Sequence, residues 1–274
     1  MKNILITGSH GYIGTNLVSY LRKDKYTIHG LDKTTGCYVE FLKKIGECDC
    51  IVHLAALPGI QACEDDLVMA IKDNISSAFN IFNLAIRKNI PIVFLSSQAA
   101  KEPQSSTYAM MKKIIETQAE MLNKECKSNI KILRLTNVYG GVDYLAKKNT
   151  VVKKFIEAYR NNEPMIIDGD GKQTRDFIHV DDVCEYIRQC IEMGNVVIDE
   201  PIDIGTGTQT SIFDLWGMFE DGLIEYNFFS RSVGVETNSA NIERAIEIFG
   251  YRASNRLDKY IQEKIQKERN KYNV

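Results

Sequence analysis

The chain has 274 residues, with 34 Lys and Arg against 36 Asp and Glu, a net charge of −2 and a pI near 6.1. This balance leaves no basic footprint for nucleic acid, and no apolar run approaches the roughly 18 residues of a membrane span. The seven cysteines are odd in number, scattered and without His-rich partners, so they read as reduced thiols of a cytoplasmic chain with no metal site.

The first strand, Ile4–Thr7, begins so near Met1 that no leader peptide is expected. It runs into three glycines, Gly8, Gly11 and Gly14, and a helical pattern over Gly14–Arg22. Strand, glycine turn and helix N-terminus together make a site for a pyrophosphate. Gly8 lets the chain turn, Gly11 leaves bare backbone beside the phosphates, and Gly14 lets helix and strand approach. The helix start adds unpaired N–H groups and positive potential. A second strand, Thr27–Leu31, ends at Asp32, 21 positions after Gly11, where an acid reaches adenosine ribose hydroxyls and repels a 2′-phosphate. NAD is therefore expected over NADP.

A short helix is expected over Val39–Ile45, a strand over Cys50–Leu54, and a helix over Leu67–Lys88. Strand Ile92–Ser96, helix Tyr108–Cys126 and strand Ile130–Leu135 follow. Strands alternating with helices predict a mostly parallel sheet covered on both faces. The second half changes texture. A helix over Asn149–Asn161 precedes a brief strand at Pro164–Ile167, a turn at Asp168–Gly171 and an extended run Arg175–Val180. Helix Asp182–Met193 is expected to be capped by Asp181 or Asp182. Strand Ile202–Gly205, helix Asn241–Phe249 ending at Gly250, and a charged helix Leu257–Arg269 complete the chain.

Ser96 and Ser97 end a strand, at the sheet edge where ligands bind in open α/β folds. Tyr108 and Lys112 follow, four residues apart and so on one helix face. A lysine ammonium beside a phenol is expected to lower its pKa. Ser97, Tyr108 and Lys112 form a set able to move a proton while a nicotinamide moves a hydride.

In order along the chain, these motifs resemble the extended short-chain dehydrogenase/reductase family, in its branch of NAD-dependent nucleotide-sugar epimerases and dehydratases similar to UDP-glucose 4-epimerase. The resembling segments are the turn Gly8–Gly14, Val52-His53-Leu54-Ala55-Ala56, Asn74, the trio Ser97, Tyr108 and Lys112, Arg134–Gly140, Gly169–Val183 and Ile204–Gly207. The resemblance implies a Rossmann-type doubly wound parallel sheet with a small, interleaved α/β substrate-binding domain. It divides the chain into an NAD-binding domain of residues 1–139 plus about 175–203, and a substrate domain of 140–174 and 204–274.

The resemblance further implies a division of labour. Gly8, His10, Gly11, Tyr12, Ile13, Gly14, Asp32, Leu54, Ala55, Ala56, Asn74, Ser96, Tyr108 and Lys112 would hold NAD. Tyr108 would deprotonate a sugar hydroxyl with Ser97 bonded to the same oxygen. Lys112 would hold the nicotinamide ribose and lower the Tyr108 pKa. Asn137 and Arg175 would hold a nucleoside-diphosphate sugar, alongside Ser97. The reaction implied is epimerisation through a transient keto-sugar, with hydride passed to NAD and back. The alternatives are a nucleotide-sugar reductase or dehydrogenase on the same scaffold, a 4,6-dehydratase, or a non-catalytic NAD-binding protein.

His53 and His179 are expected to be structural. A homodimer is implied, with Ile75, Phe79, Phe82, Ile114 and Ile115 able to serve either its interface or the intrachain core. Departures from the family pattern are a short stretch between Asp32 and Asp49, with Cys37–Val39 as a strand remnant, and a short stretch between Ser97 and Tyr108. Met111 stands for a small residue, and Gln98-Ala99 for the acid pair of dehydratases, which disfavours dehydration.

Overall fold

In the computed structural model, residues 1–24, 26–33, 46–142, 150–219, 226–229 and 239–272 are described. The strands are β1 (Lys2–Thr7), β2 (Tyr26–Leu31), β3 (Cys50–His53), β4 (Ile92–Ser97), β5 (Ile130–Leu135) and β6 (Asn137–Tyr139). They continue as β7 (Met165–Asp168), β8 (Thr174–Arg175), β9 (Phe177–His179), β10 (Ile202–Ile204), β11 (Thr210–Ser211) and β12 (Tyr226–Phe229). Six of them make one parallel sheet in the order β10-β5-β4-β3-β1-β2.

The sheet strands are apolar on both faces because helices cover both. Ile4 and Ile6 of β1 point into a core shared with helices Tyr12–Leu21 and Val180–Glu192. Leu5, between them, points into the opposite core, built with helices Ser77–Lys88 and Thr107–Cys126 through Phe82 and Ile115. The chain leaves β1 for β2 on one side, then crosses to lay β3 on the other. That reversal opens a crevice at the C-terminal ends of β1 and β3, where Thr7 stands opposite His53.

A third core gathers Tyr139, Phe155, Met165, Ile167, Leu215 and Ile261, with other apolar side chains. Around it lie three two-stranded pairings, β6–β9, β7–β12 and β8–β11. Helix Glu243–Phe249 returns to the first core through Ala245 and Phe249.

Several expectations change in detail. The helix expected over Leu67–Lys88 is broken into Leu67–Ala70, a π-helical turn Ile71–Ser76 and Ser77–Lys88. The wider turn faces Asn74 inward, and its side chain takes up a loop described below. Helix Val180–Glu192 is capped by His179, whose Nδ1 accepts from Asp181 N at 3.2 Å, and not by Asp181 or Asp182. Asp182 is fully buried and instead accepts from Tyr251 Oη, Ser254 N and Asn255 N, tying down the approach to the last helix. The helix expected at Val39–Ile45 lies outside the described residues, as does the strand remnant Cys37–Val39.

Candidate active site

The glycine turn is set by close backbone approach. Gly8 has φ +70°, and a Cβ there would lie 2.7 Å from Ala55 N. A Cβ on Gly14 would lie 2.1 Å from the Gly8 carbonyl oxygen. Gly11 is the N-cap of helix Tyr12–Leu21 and offers no side chain to cap its first turn. The hub behind this turn is Thr7. Its Oγ1 accepts from Leu54 N and Ala55 N, both at 3.2 Å, and lies 2.7 Å from His53 Nδ1. Thr7 thus welds the end of β1 to the chain leaving β3. Asp32 follows β2, with Oδ2 3.4 Å from His10 N.

Ser97 ends β4, and its Oγ accepts from Ala99 N at 3.3 Å. The next helix, Thr107–Cys126, is capped by Ser106, whose Oγ accepts from Ala109 N. That start puts Tyr108 and Lys112 on the face turned to the sheet edge. Lys112 is buried, donates to Leu95 O at 2.9 Å, and lies 4.9 Å from the Phe94 ring centre and 5.8 Å from that of Tyr108.

The Tyr108 phenol is not lowered as expected: burial pushes it up to about 12, against the opposing hydrogen bond of Ser97. The Lys112 ammonium is directed at the Leu95 carbonyl, so desolvation dominates at the phenol.

One cleft of about 2010 Å³ is lined by Gly8, His10, Gly11, Tyr12, Ile13, Gly14, Asp32, Leu54, Ala55 and Ala56. Ser96, Ser97, Tyr108, Lys112, Asn137 and Arg175 line it too. Asn74 does not. It is buried one layer behind, accepting from Leu57 N at 2.7 Å and donating to Leu57 O at 3.2 Å. Leu57 lines the cleft, so Asn74 shapes the wall through a loop rather than reaching a ligand.

Arg175 Nη1 donates to Thr174 O, and burial pulls its guanidinium below the usual range. Asp176 is fully buried and accepts from Thr206 N, Thr206 Oγ1, Gly207 N and Ala240 N. It pins the glycine loop after β10 beside Arg175. His53 is buried, stacked on Phe94, and held neutral with its pKa pushed down to about 3. His179 is a helix cap packed edge-on against Tyr139 and Tyr260.

Site-shaping residues that sequence reasoning passed over are Thr7, Leu57, Lys101, Lys154 and Asp176. Leu57, Lys101 and Lys154 line the cleft. Thr7 and Asp176 each adjoin a residue already singled out, Gly8 and Arg175, which was the available signal.

The donor set suits a dinucleotide. Bare backbone and a helix start face the cleft at one end, and Asp32 stands beside it. Ser96 Oγ, on the cleft wall, is buried without a hydrogen-bond partner among the described residues. Among those residues no group of three or more His, Cys, Asp or Glu could hold a metal, and no helix is long and apolar enough to cross a membrane.

The NAD dependent epimerase/dehydratase family model matches residues 4–205. A Methanocaldococcus jannaschii protein provisionally assigned as a UDP-glucose 4-epimerase is 29% identical over 251 residues, covering 79% of this chain and 81% of its own. The GDP-6-deoxy-D-talose 4-dehydrogenase of Aggregatibacter actinomycetemcomitans is 28% identical over 235 residues, covering 78% of this chain and 77% of its own. The same fold is seen in UDP-glucuronic acid 4-epimerase from Bacillus cereus, solved with UDP-glucuronic acid and NAD. Its TM-score is 0.83 at 23% identity, covering 98% of this chain and 99% of that one.

Proposed function

Because this chain belongs to the NAD dependent epimerase/dehydratase family, we propose that it is an NAD-dependent epimerase of a nucleoside-diphosphate sugar. The observation that carries this is the meeting of Ser97, Tyr108 and Lys112 with the glycine turn and Asp32 in one cleft. The names of the relatives, two of them 4-epimerases, favour carbon 4 of a UDP-sugar.

NAD would be held by the backbone of Gly8–Gly14, by Asp32 at a ribose, by the Leu54–Ala56 segment that Thr7 fixes, and by Lys112. When bound, it supplies the acceptor and donor of hydride. Tyr108 moves the proton at the sugar hydroxyl, and Ser97 hydrogen-bonds the same oxygen. A phenol near 12 is protonated at neutral pH. It is therefore ready to protonate a ketone oxygen, and the Ser97 hydrogen bond assists the reverse transfer by favouring the phenolate. Arg175 grips the diphosphate by paired parallel hydrogen bonds, with Asn137 at the sugar nucleotide. Gln98 and Ala99 offer neither an acid nor a base, which argues against dehydration.

A second reading, net oxidoreduction of a nucleotide sugar, is favoured by the dehydrogenase relative. Incubation with NAD and UDP-glucose, UDP-N-acetylglucosamine or UDP-glucuronic acid, followed by proton NMR and nicotinamide absorbance, separates the two. Epimerisation gives the 4-epimer with no net reduced nicotinamide over many turnovers. Accumulation of reduced nicotinamide with product would select the second reading. Tyr108→Phe should lower kcat about 100-fold or more; unchanged turnover would remove Tyr108 from the mechanism.

The two cores that flank the sheet and the separate one around Phe155 support a division into an NAD-binding part, residues 1–139 with about 175–203, and a substrate part, 140–174 and 204–274, with helix Glu243–Phe249 returning to the first. The free thiols among the described residues suit the cytoplasm. A homodimer is supported by an apolar surface: Leu67, Val68, Met110, Ile114 and Met121 are exposed. Of the residues expected to serve, Phe82 and Ile115 are buried in the intrachain core and Ile75 and Phe79 pack against it, which leaves Ile114.

A further inference from the structure

Ser97 is followed by a single 3₁₀ turn, Gln98–Lys101, that is held at its start, middle and end. At its start Gln98 Nε2 donates to Arg134 O at 3.3 Å. In its middle Ala99 N donates to Ser97 Oγ at 3.3 Å. At its end the Lys101 ammonium meets the Asp203 carboxylate of β10. The middle contact occupies an acceptor site of the Ser97 hydroxyl, so its one O–H is directed away from the turn and toward the cleft. The direction of that O–H depends on how the turn is seated.

Asp203 is an unusual anchor for a surface lysine. It is buried on the sheet edge, accepts from Asn241 N at 3.3 Å, and lies 3.9 Å from Arg134 Nη1. Arg134 forks onto Glu116 with bonds of 2.9 and 2.7 Å, and Glu116 is fully buried. Glu116 lies one helical turn beyond Lys112, on the face that carries Tyr108. Charges of alternating sign thus run from the turn after Ser97 through Asp203, Arg134 and Glu116 to the helix of Tyr108. Buried charges cost desolvation and are weak evidence for stability. Lys101 is itself 41% exposed, and so half-exposed a pair adds little to folding. Geometry is what the pair supplies.

We propose that Lys101 and Asp203 are positioning residues for Ser97: their ion pair seats the turn that aims the Ser97 hydroxyl at the reacting oxygen. The inference rests on the reading of Ser97 and Tyr108 as catalytic. Lys101 touches neither substrate nor cofactor in this role and acts through Ser97 alone.

The test is a double-mutant cycle on epimerisation, with kcat and KM for the nucleotide sugar measured for each variant. Lys101→Met should lower kcat about tenfold with KM within about twofold, and Lys101→Arg should restore most of the loss. In the Ser97→Ala background the Lys101→Met change should cost less than about twofold, because its target is gone. Wild-type kcat in Lys101→Met overturns the proposal. So does a change confined to KM, which would make Lys101 a substrate contact, or a double variant whose loss is the product of the single losses. Wild-type kcat in Ser97→Ala would sink the catalytic reading itself, and with it the proposal, and is told apart from the other failures by that single variant.

Discussion

His53 is a buried histidine with its tautomer set by a neighbour. Thr7 Oγ1 accepts from two backbone N–H groups, so its own proton goes to His53 Nδ1, and the imidazole proton sits on Nε2. Protonating Nδ1 would set it against this arrangement. Burial is the larger cause that lowers its pKa, and the Lys112 cation adds to it, from 6.5 to about 3. The unfolded chain therefore binds a proton that the folded chain refuses. Stability from this residue is complete above about pH 6.5 and is lost as pH falls toward 3. Wild type should lose about 1.4 kcal/mol more per pH unit than His53→Asn in that window, measured by urea unfolding. Equal slopes would mean that His53 is not the group responsible. At this scale the sequence was legible where proximity lies in local spacing: Tyr108 and Lys112 need only one helical turn between them to share a face and line one cleft. It placed Asn74 at the cofactor and missed its partner Leu57, 17 residues back, and it was silent on Lys101, whose partner Asp203 lies 102 residues on. No periodicity links such pairs before the chain folds.

Gly14 shows how one element depends on another's backbone. A methyl group there meets the Gly8 carbonyl at 2.1 Å and Ser9 backbone atoms at 2.8 and 2.9 Å, all main chain and none able to rotate aside. Helix Tyr12–Leu21 would have to lift off the turn that ends β1. Gly14→Ala should cost about 1–3 kcal/mol of stability and weaken NAD binding, whereas Gly217→Ala, where a Cβ meets nothing within 4 Å, should stay within about 0.5 kcal/mol. Urea unfolding with an NAD titration checks both, and equal stability of the two variants would contradict the packing argument. The sheet strands were readable because burial on both faces concentrates apolar residues in them, as in Ile4–Ile6 of β1, Cys50–Val52 of β3 and Ile92–Leu95 of β4, although Lys131 and Arg134 interrupt β5. Strands β8 and β11 are two residues each and carry no pattern to read. The π-helical turn Ile71–Ser76 was hidden for another reason. One wider turn barely disturbs helical periodicity, yet it decides which way Asn74 faces.

For the whole molecule, helix Thr107–Cys126 has two distinct faces. Tyr108, Lys112 and Ile115 face the sheet, while Met110, Ile114 and Met121 are 44%, 40% and 48% exposed. Leu67, Val68, Met69 and Ile71 add exposed apolar surface on the neighbouring helical stretch. Large apolar side chains grouped in this way mark an interaction surface rather than ordinary scatter. A two-fold axis across it would pair like with like, the commonest closed assembly of identical chains. Such a contact would buttress the outer side of the helix whose inner side holds Tyr108. The chain of 31.1 kDa should sediment at twice that mass. Met110→Glu with Ile114→Glu should halve it, since two carboxylates per chain would be buried against their own copies without partners. Folding of the variant is secured by the exposure of both positions, and an unchanged far-ultraviolet dichroism spectrum verifies it. A wild-type chain at the monomer mass at micromolar concentration, or a double variant that remains a dimer, would exclude this surface as the dimer interface.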